Sequence, residues 1–193
     1  MQACGLGAEP GAMRGYFGIG IEGVSKPMNL GSLLRTAHAF NASFVFTIGA
    51  LFDRREVLLA DTSDAAASVP LHEYSDLESF ELPRGCKLVG IELLDDAADL
   101  PSFRHPAQAA YVLGAERASL SPALVARCDH LVRIPTRFCI NVAMAGALVM
   151  YDRMISLGRF AERPVRAGGP AAALPAHVHG DPVWKKRQAR KRS

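Results

Sequence analysis

The stretch "YFGIGIEGVSKPMNLGSLLRTAHAFNASFVF", residues 16–46, carries three patterns in succession. Residues 16–24 and 43–50 are short apolar runs of strand length, rich in β-branched and aromatic side chains. Between them Leu30, Leu33, Leu34, Ala37 and Phe40 recur at helical spacing over residues 30–40, and Asn41 stands where a left-handed residue would end the helix. Strand-like runs follow at 86–93, 109–115 and 130–135, and helical patterns at 54–60, 75–80, 122–128 and 140–157. Ser121-Pro122 adds an N-cap oxygen and a proline at the first helical position. The alternation predicts an α/β domain with a mainly parallel sheet, flanked by helices and buried on both faces.

The composition is that of a soluble globular chain, 193 residues with 49% hydrophobic and 21% charged side chains, enough for one core. No basic stretch and apolar core of a signal peptide opens the sequence, and the longest apolar run, residues 142–150, is about half a membrane span. Cys4, Cys86, Cys128 and Cys139 are scattered, without the spacing of a zinc site or a disulfide framework. These features together lead to the expectation of a cytoplasmic protein without a metal.

The net charge of +3 hides an asymmetry, because six of the 22 basic residues lie in the last nine positions: Lys185, Lys186, Arg187, Arg190, Lys191 and Arg192. Residues 1–184 keep 16 basic against 19 acidic groups, a formal −3. Such a tail is either a polyanion-binding arm or a solvated end. Before it, residues 161–182 turn to Ala, Pro and Gly, a linker in which His177 and His179 would lack a third metal ligand. The expected organisation is a flexible N-terminus over 1–15, one domain over 16–160, and a linker with basic tail over 161–193.

In an open parallel sheet ligands bind beyond the carboxyl ends of the strands. Asn29, Glu92, Gly114, Glu116 and residues 135–141 all follow strand-like runs and should gather there. Arg35, taken as one turn into its helix, is an ordinary surface arginine if the helix stands alone. At this rim it would suit a phosphate or a developing oxyanion. "GIGIEG" is a poor dinucleotide fingerprint, since Gly18 and Gly20 lie inside the strand, and neither a phosphate loop nor a G-x-S-x-G elbow is present. Residues 142–150 are apolar nearly all round, and Gly146 among them points to a close approach, either across a subunit interface or inside the monomer.

Three segments, "KPMNLGSLLRTAHAF" (26–40), "VLGAERASLS" (112–121) and "IPTRFCINVAMAGALVMYDR" (134–153), resemble the three ordered motifs of the SpoU/TrmH family of SPOUT RNA methyltransferases. Asn29, Gly31 and Arg35 match the first, Gly114, Glu116 and Ser121 the second, and Ile134-Pro135 with Cys139-Ile140-Asn141 the third. The third motif is shortened, and Cys139, Asn41 and Ser119 replace the usual serine and two glycines. This resemblance implies a C-terminal trefoil knot, a homodimer through the C-terminal helix, and S-adenosylmethionine held by Ile91, Gly114, Ile134, Cys139, Ile140 and Asn141. It further implies methyl transfer to a ribose 2′-hydroxyl of tRNA or rRNA, tRNA being favoured, with Arg35, Asn29 and Glu116 as catalytic residues. Arg35 and the six tail cations would contact RNA. The shortened motif leaves open a non-catalytic RNA-binding or assembly protein with the same fold.

Overall fold

The computed structural model describes residues 15–51, 69–115, 119–158, 160, 163–164 and 167–168. The chain divides into two compact units, residues 1–158 and 159–193. In the first, the described residues form seven strands: β1 (Tyr16–Glu22), β2 (Phe44–Ile48), β3 (Leu71–Tyr74), β4 (Lys87–Ile91), β5 (Ala98–Asp99), β6 (Gln108–Leu113) and β7 (His130–Arg133). Every pairing is parallel, and the order is β3-β2-β1-β6-β4-β7-β5. Three helices accompany them: α1 (Pro27–Ala39), α2 (Pro122–Arg127) and α3 (Val142–Leu157).

Side chains alternate across a strand, so the central strands serve two cores. Ile19, Ile21, Val45, Tyr111 and Leu113 meet α1 and α3 on one face. Phe46, Ala110 and Val112 join Phe80, Leu120 and Leu124 of α2 on the other. On that second face, β1 offers only Gly18 and Gly20, because a Cβ at either position would run into the ring of Phe44 or Phe46. Close passage of β2 side chains over β1 thus accounts for the "GIG" pattern, without a nucleotide.

Local chemistry sets the element ends. Ser121 Oγ accepts from Leu124 N–H at 3.2 Å and caps α2 as expected. Asn41 has φ of 58° and closes the α1–β2 connection in the left-handed region. Residues 75–80, expected to be helical, are not. Asp76 Oδ1 accepts from Ser79 N–H at 2.8 Å and its other oxygen accepts from Ser75 Oγ at 3.0 Å, so short polar side chains capture the backbone groups that a helix needs. The edge strands β3 and β5 escape sequence reading because each is short and half exposed, without alternation to betray it. The proposed helix at 54–60 lies outside the described residues.

Helix α3 is anchored at both ends of the face it buries. Gly146 lies directly over α1: an added Cβ would meet Leu33 Cδ1 at 2.5 Å and Ile19 Cδ1 at 3.3 Å. The close approach is therefore inside the monomer, and the subunit-interface alternative for this glycine is set aside. Farther along, Arg153 is 1% exposed and donates to the carbonyls of Pro106 (2.6 Å) and Ala107 (2.8 Å) and to Tyr111 Oη (3.1 Å). Its guanidinium also stands 5.1 Å from the centre of the Phe17 ring. Tyr111 Oη lies 2.6 Å from His105 Nδ1, whose Nε2 is 2.9 Å from Asp152. Burial holds the His105 pKa below its usual value, against the pull of Asp152, and pushes the Tyr111 phenol up.

Gly146 forgoes up to about 1 kcal/mol of helix propensity for this contact. Gly146→Leu is expected to overpack the α1–α3 seam and lower unfolding stability by about 1–3 kcal/mol, read from urea denaturation.

Candidate functional site

The carboxyl ends of β4, β6 and β7 open into a cavity of about 370 Å³. Its walls are largely apolar, from Ile91, Leu113, Ile134, Ile140, Val142 and Ala145, with Glu92, Ser119 and Thr136 as polar points. Size and lining are those of a small-molecule site. Five of the six expected cofactor residues, Ile91, Gly114, Ile134, Cys139 and Ile140, line it.

Beside it lies a cleft lined by Lys26, Pro27, Met28, Asn29, Cys139, Ile140 and Asn141. Cys139 and Ile140 border both spaces, so one thin wall separates cavity from cleft. The connection from β7 that carries this wall is folded on itself, with Thr136 N–H donating to Ile134 O at 2.7 Å and Thr136 Oγ1 to Phe138 O at 3.0 Å.

Asn141, expected on the cofactor, lines the cleft instead. Its Oδ1 accepts from Ala143 N–H (2.9 Å) and Met144 N–H (3.4 Å), making it the N-cap of α3. Its Nδ2 donates to Asn29 Oδ1 at 3.2 Å, and Asn29 is buried in the first turn of α1. One asparagine thus ties the starts of two helices that are 112 residues apart in sequence. Sequence reading named neither this cap nor the link to Asn29.

Arg35 is exposed and lines neither space. Helix α1 begins at Pro27, not near residue 30, which puts Arg35 more than two turns along it, about 12 Å from the start by helix rise. Glu116 and the tail cations Lys185 to Arg192 lie outside the described residues. Glu92 and Thr136 stand at this rim as expected, whereas Lys26 and a second rim carboxylate, Glu22, were missed by sequence reading; both carboxylates accept loop hydrogen bonds. The only local signal for the carboxylates is an acidic residue at the end of a buried strand. None of the described helices is long and apolar enough to cross a membrane.

A seven-stranded parallel sheet with a cavity and a cleft at its carboxyl edge defines an open parallel α/β class of protein, in which ligands bind beyond the strand ends. Within that class, the model of the SpoU rRNA Methylase family matches residues 17–151, and the chain belongs to this family. It is 30% identical over 143 residues to a putative TrmH family tRNA/rRNA methyltransferase of Staphylococcus haemolyticus, covering 68% of this chain and 55% of that one. It is 29% identical over 138 residues to the tRNA (guanosine(18)-2′-O)-methyltransferase TARBP1 of Mus musculus, covering 67% of this chain and 9% of the relative. Thus the chain spans about half the length of its bacterial relative and a small part of the mouse one. Among solved structures it is similar to an rRNA methyltransferase from Sinorhizobium meliloti (TM-score 0.68, 24% identity, 75% of this chain and 57% of that one). It is also similar to the SpoU methyltransferase AviRb of Streptomyces viridochromogenes in complex with the cofactor AdoMet (TM-score 0.67, 24% identity, 78% and 62% covered).

Asn141→Ala is expected to cost about 0.5–2 kcal/mol of stability through the lost cap. The same variant should also release Asn29, seen as faster amide exchange in the first turns of both α1 and α3.

Proposed function

We propose that residues 16–160 form an S-adenosylmethionine-dependent RNA methyltransferase domain that modifies a ribose 2′-hydroxyl of tRNA or rRNA in the cytoplasm. The observation that carries this reading is the shared Cys139–Ile140 wall, with the cavity at the carboxyl ends of β4, β6 and β7 on one side and the Lys26-bordered cleft on the other. Such a partition fits a small methyl donor behind and a large polyanion in front. Family membership and relatives named as tRNA and rRNA methyltransferases support the same assignment.

S-adenosylmethionine, when bound, supplies a methyl group on a positively charged sulfur. Ile91, Gly114, Ile134, Cys139 and Ile140 would hold it and keep water away. Asn29, fixed by Asn141, would orient the ribose together with Glu116. The 2′-oxygen would give its proton to solvent as it takes the methyl group, and the sulfur would keep the electron pair of the bond it loses. A guanidinium does not give up its proton under ordinary conditions, so Arg35 would serve as a fixed cation that holds a neighbouring phosphate and steadies the negative oxygen. The tail cations of residues 185–192 would add phosphate contacts beyond the 161–182 linker.

The trefoil knot belongs to the same proposal. Leu113, Gly114, Ala115 and Ser119 share the lining of one cavity with Ile134, Thr136, Cys139, Ile140 and Val142, which supports a C-terminal segment threaded close to the end of β6. A homodimer through α3 is supported by Met144, Leu148 and Tyr151, a stripe along one side of the helix that is 62%, 41% and 49% exposed.

Calorimetry should detect S-adenosylmethionine binding to the wild-type protein; no binding at millimolar cofactor would favour a binding-only RNA protein. In radiolabelled methyl transfer to tRNA and rRNA transcripts, Arg35→Ala should lose about 10²–10³-fold in kcat while cofactor Kd changes little. In sedimentation, Leu148→Glu should convert a dimer to monomer at micromolar concentration, and an unchanged dimer would move the interface away from α3.

A further inference from the structure

Two carboxylates at the rim have no part in the reaction as written above. Glu22 ends β1, Glu92 follows the last residue of β4, and β6 lies between these two strands. The loop that leaves β6 at Gly114 and returns at Ser119 therefore has a carboxylate on either side. Glu22 accepts from Ser121 N–H at 2.7 Å and from Ser121 Oγ at 2.6 Å. Glu92 accepts from Leu120 N–H at 2.8 Å and from Leu93 N–H at 3.0 Å. Ser121 Oγ also accepts from Leu124 N–H, so its single proton is committed to Glu22.

Three charge-assisted bonds thus land on two consecutive residues, from partners 99 and 28 positions away in sequence. Leu120 is 4% exposed in the second core, and burial alone would keep it there. Ser119, next to this clamped pair, lines the cavity together with Gly114 and Ala115 at the end of β6. Glu92 lines the cavity as well.

We propose that Glu22 and Glu92 are positioning residues of the methyl-donor site, clamping the 119–121 segment so that Ser119 keeps its place in the cavity wall. The proposal rests on the reading of this cavity as the S-adenosylmethionine site. The clamp acts on the loop, not on the reacting atoms, so its loss should appear in cofactor affinity before RNA affinity or global stability.

The test uses the full-length protein with Glu22→Gln, Glu92→Gln and the double variant. Glutamine keeps the volume and one acceptor oxygen but removes the charge and the second acceptor. S-adenosylmethionine Kd is measured by calorimetry, RNA Kd by filter binding, and amide exchange over residues 119–124 by mass spectrometry, with a thermal melt alongside. Each single variant should weaken cofactor binding about tenfold, a loss equal to about 1.4 kcal/mol. Exchange at 119–124 should speed up, while RNA Kd stays within about twofold and the melting midpoint moves by no more than about 2 °C. The double variant should lose more than either single. Unchanged cofactor Kd and unchanged exchange in the double variant would overturn the clamp, as would a parallel fall in cofactor affinity, RNA affinity and melting temperature. If the wild-type protein binds no S-adenosylmethionine, the cavity reading fails and the positioning role falls with it, whatever the exchange at 119–124 does.

Discussion

The contact between Gly146 of α3 and Leu33 of α1 decides where the rest of the rim can lie. An all-parallel sheet must be covered on both faces, and on one face α1 and α3 share the task. A side chain at position 146 would press on Leu33 Cδ1 and Ile19 Cδ1, which would have to shift for the two helices to keep this spacing. With glycine there, the first turns of the two helices come within hydrogen-bond reach, and Asn141 can cap one helix while holding Asn29 of the other. The thin wall of Cys139 and Ile140 immediately precedes that cap, so its place between cavity and cleft follows from the same packing.

Opposite the rim, Arg153 performs a different task. A buried guanidinium is costly unless most of its donors find acceptors, and here the carbonyls of residues 106 and 107 and the Tyr111 hydroxyl serve the two terminal nitrogens, while Nε is left without a partner. The result ties the second half of α3 to the start of β6. Rigidity at the lower edge and geometry at the upper edge are thereby linked through one helix, with Gly146 between the two.

The carboxylates of Glu22 and Glu92 extend this scheme to the third segment of the rim. They reach the loop after β6 from the strands on its two sides, which only an order placing β6 between β1 and β4 permits. The three motif segments are thus held by different means: helix packing for the first, carboxylate hydrogen bonds for the second, and an asparagine cap for the third.

Much of this was legible in the sequence. The apolar runs at 16–24, 43–50, 86–93, 109–115 and 130–135 became β1, β2, β4, β6 and β7, because burial on both faces leaves an unmistakable hydrophobic stretch. Ser121-Pro122 and Asn41 announced helix ends through their own side-chain and backbone preferences. Residues 75–80 misled, since their spacing fits a helix while their Ser and Asp side chains fold the backbone into a turn. Five residues expected on the cofactor line one cavity, but only the tertiary structure put Asn141 at the cleft and Gly146 inside the monomer, buried Arg153 and brought Glu22 to Ser121. The physical reason is range. Periodicity, caps and turns are properties of a few neighbouring residues, whereas a hydrogen bond across 99 or 112 positions exists only once the sheet order has brought the partners together.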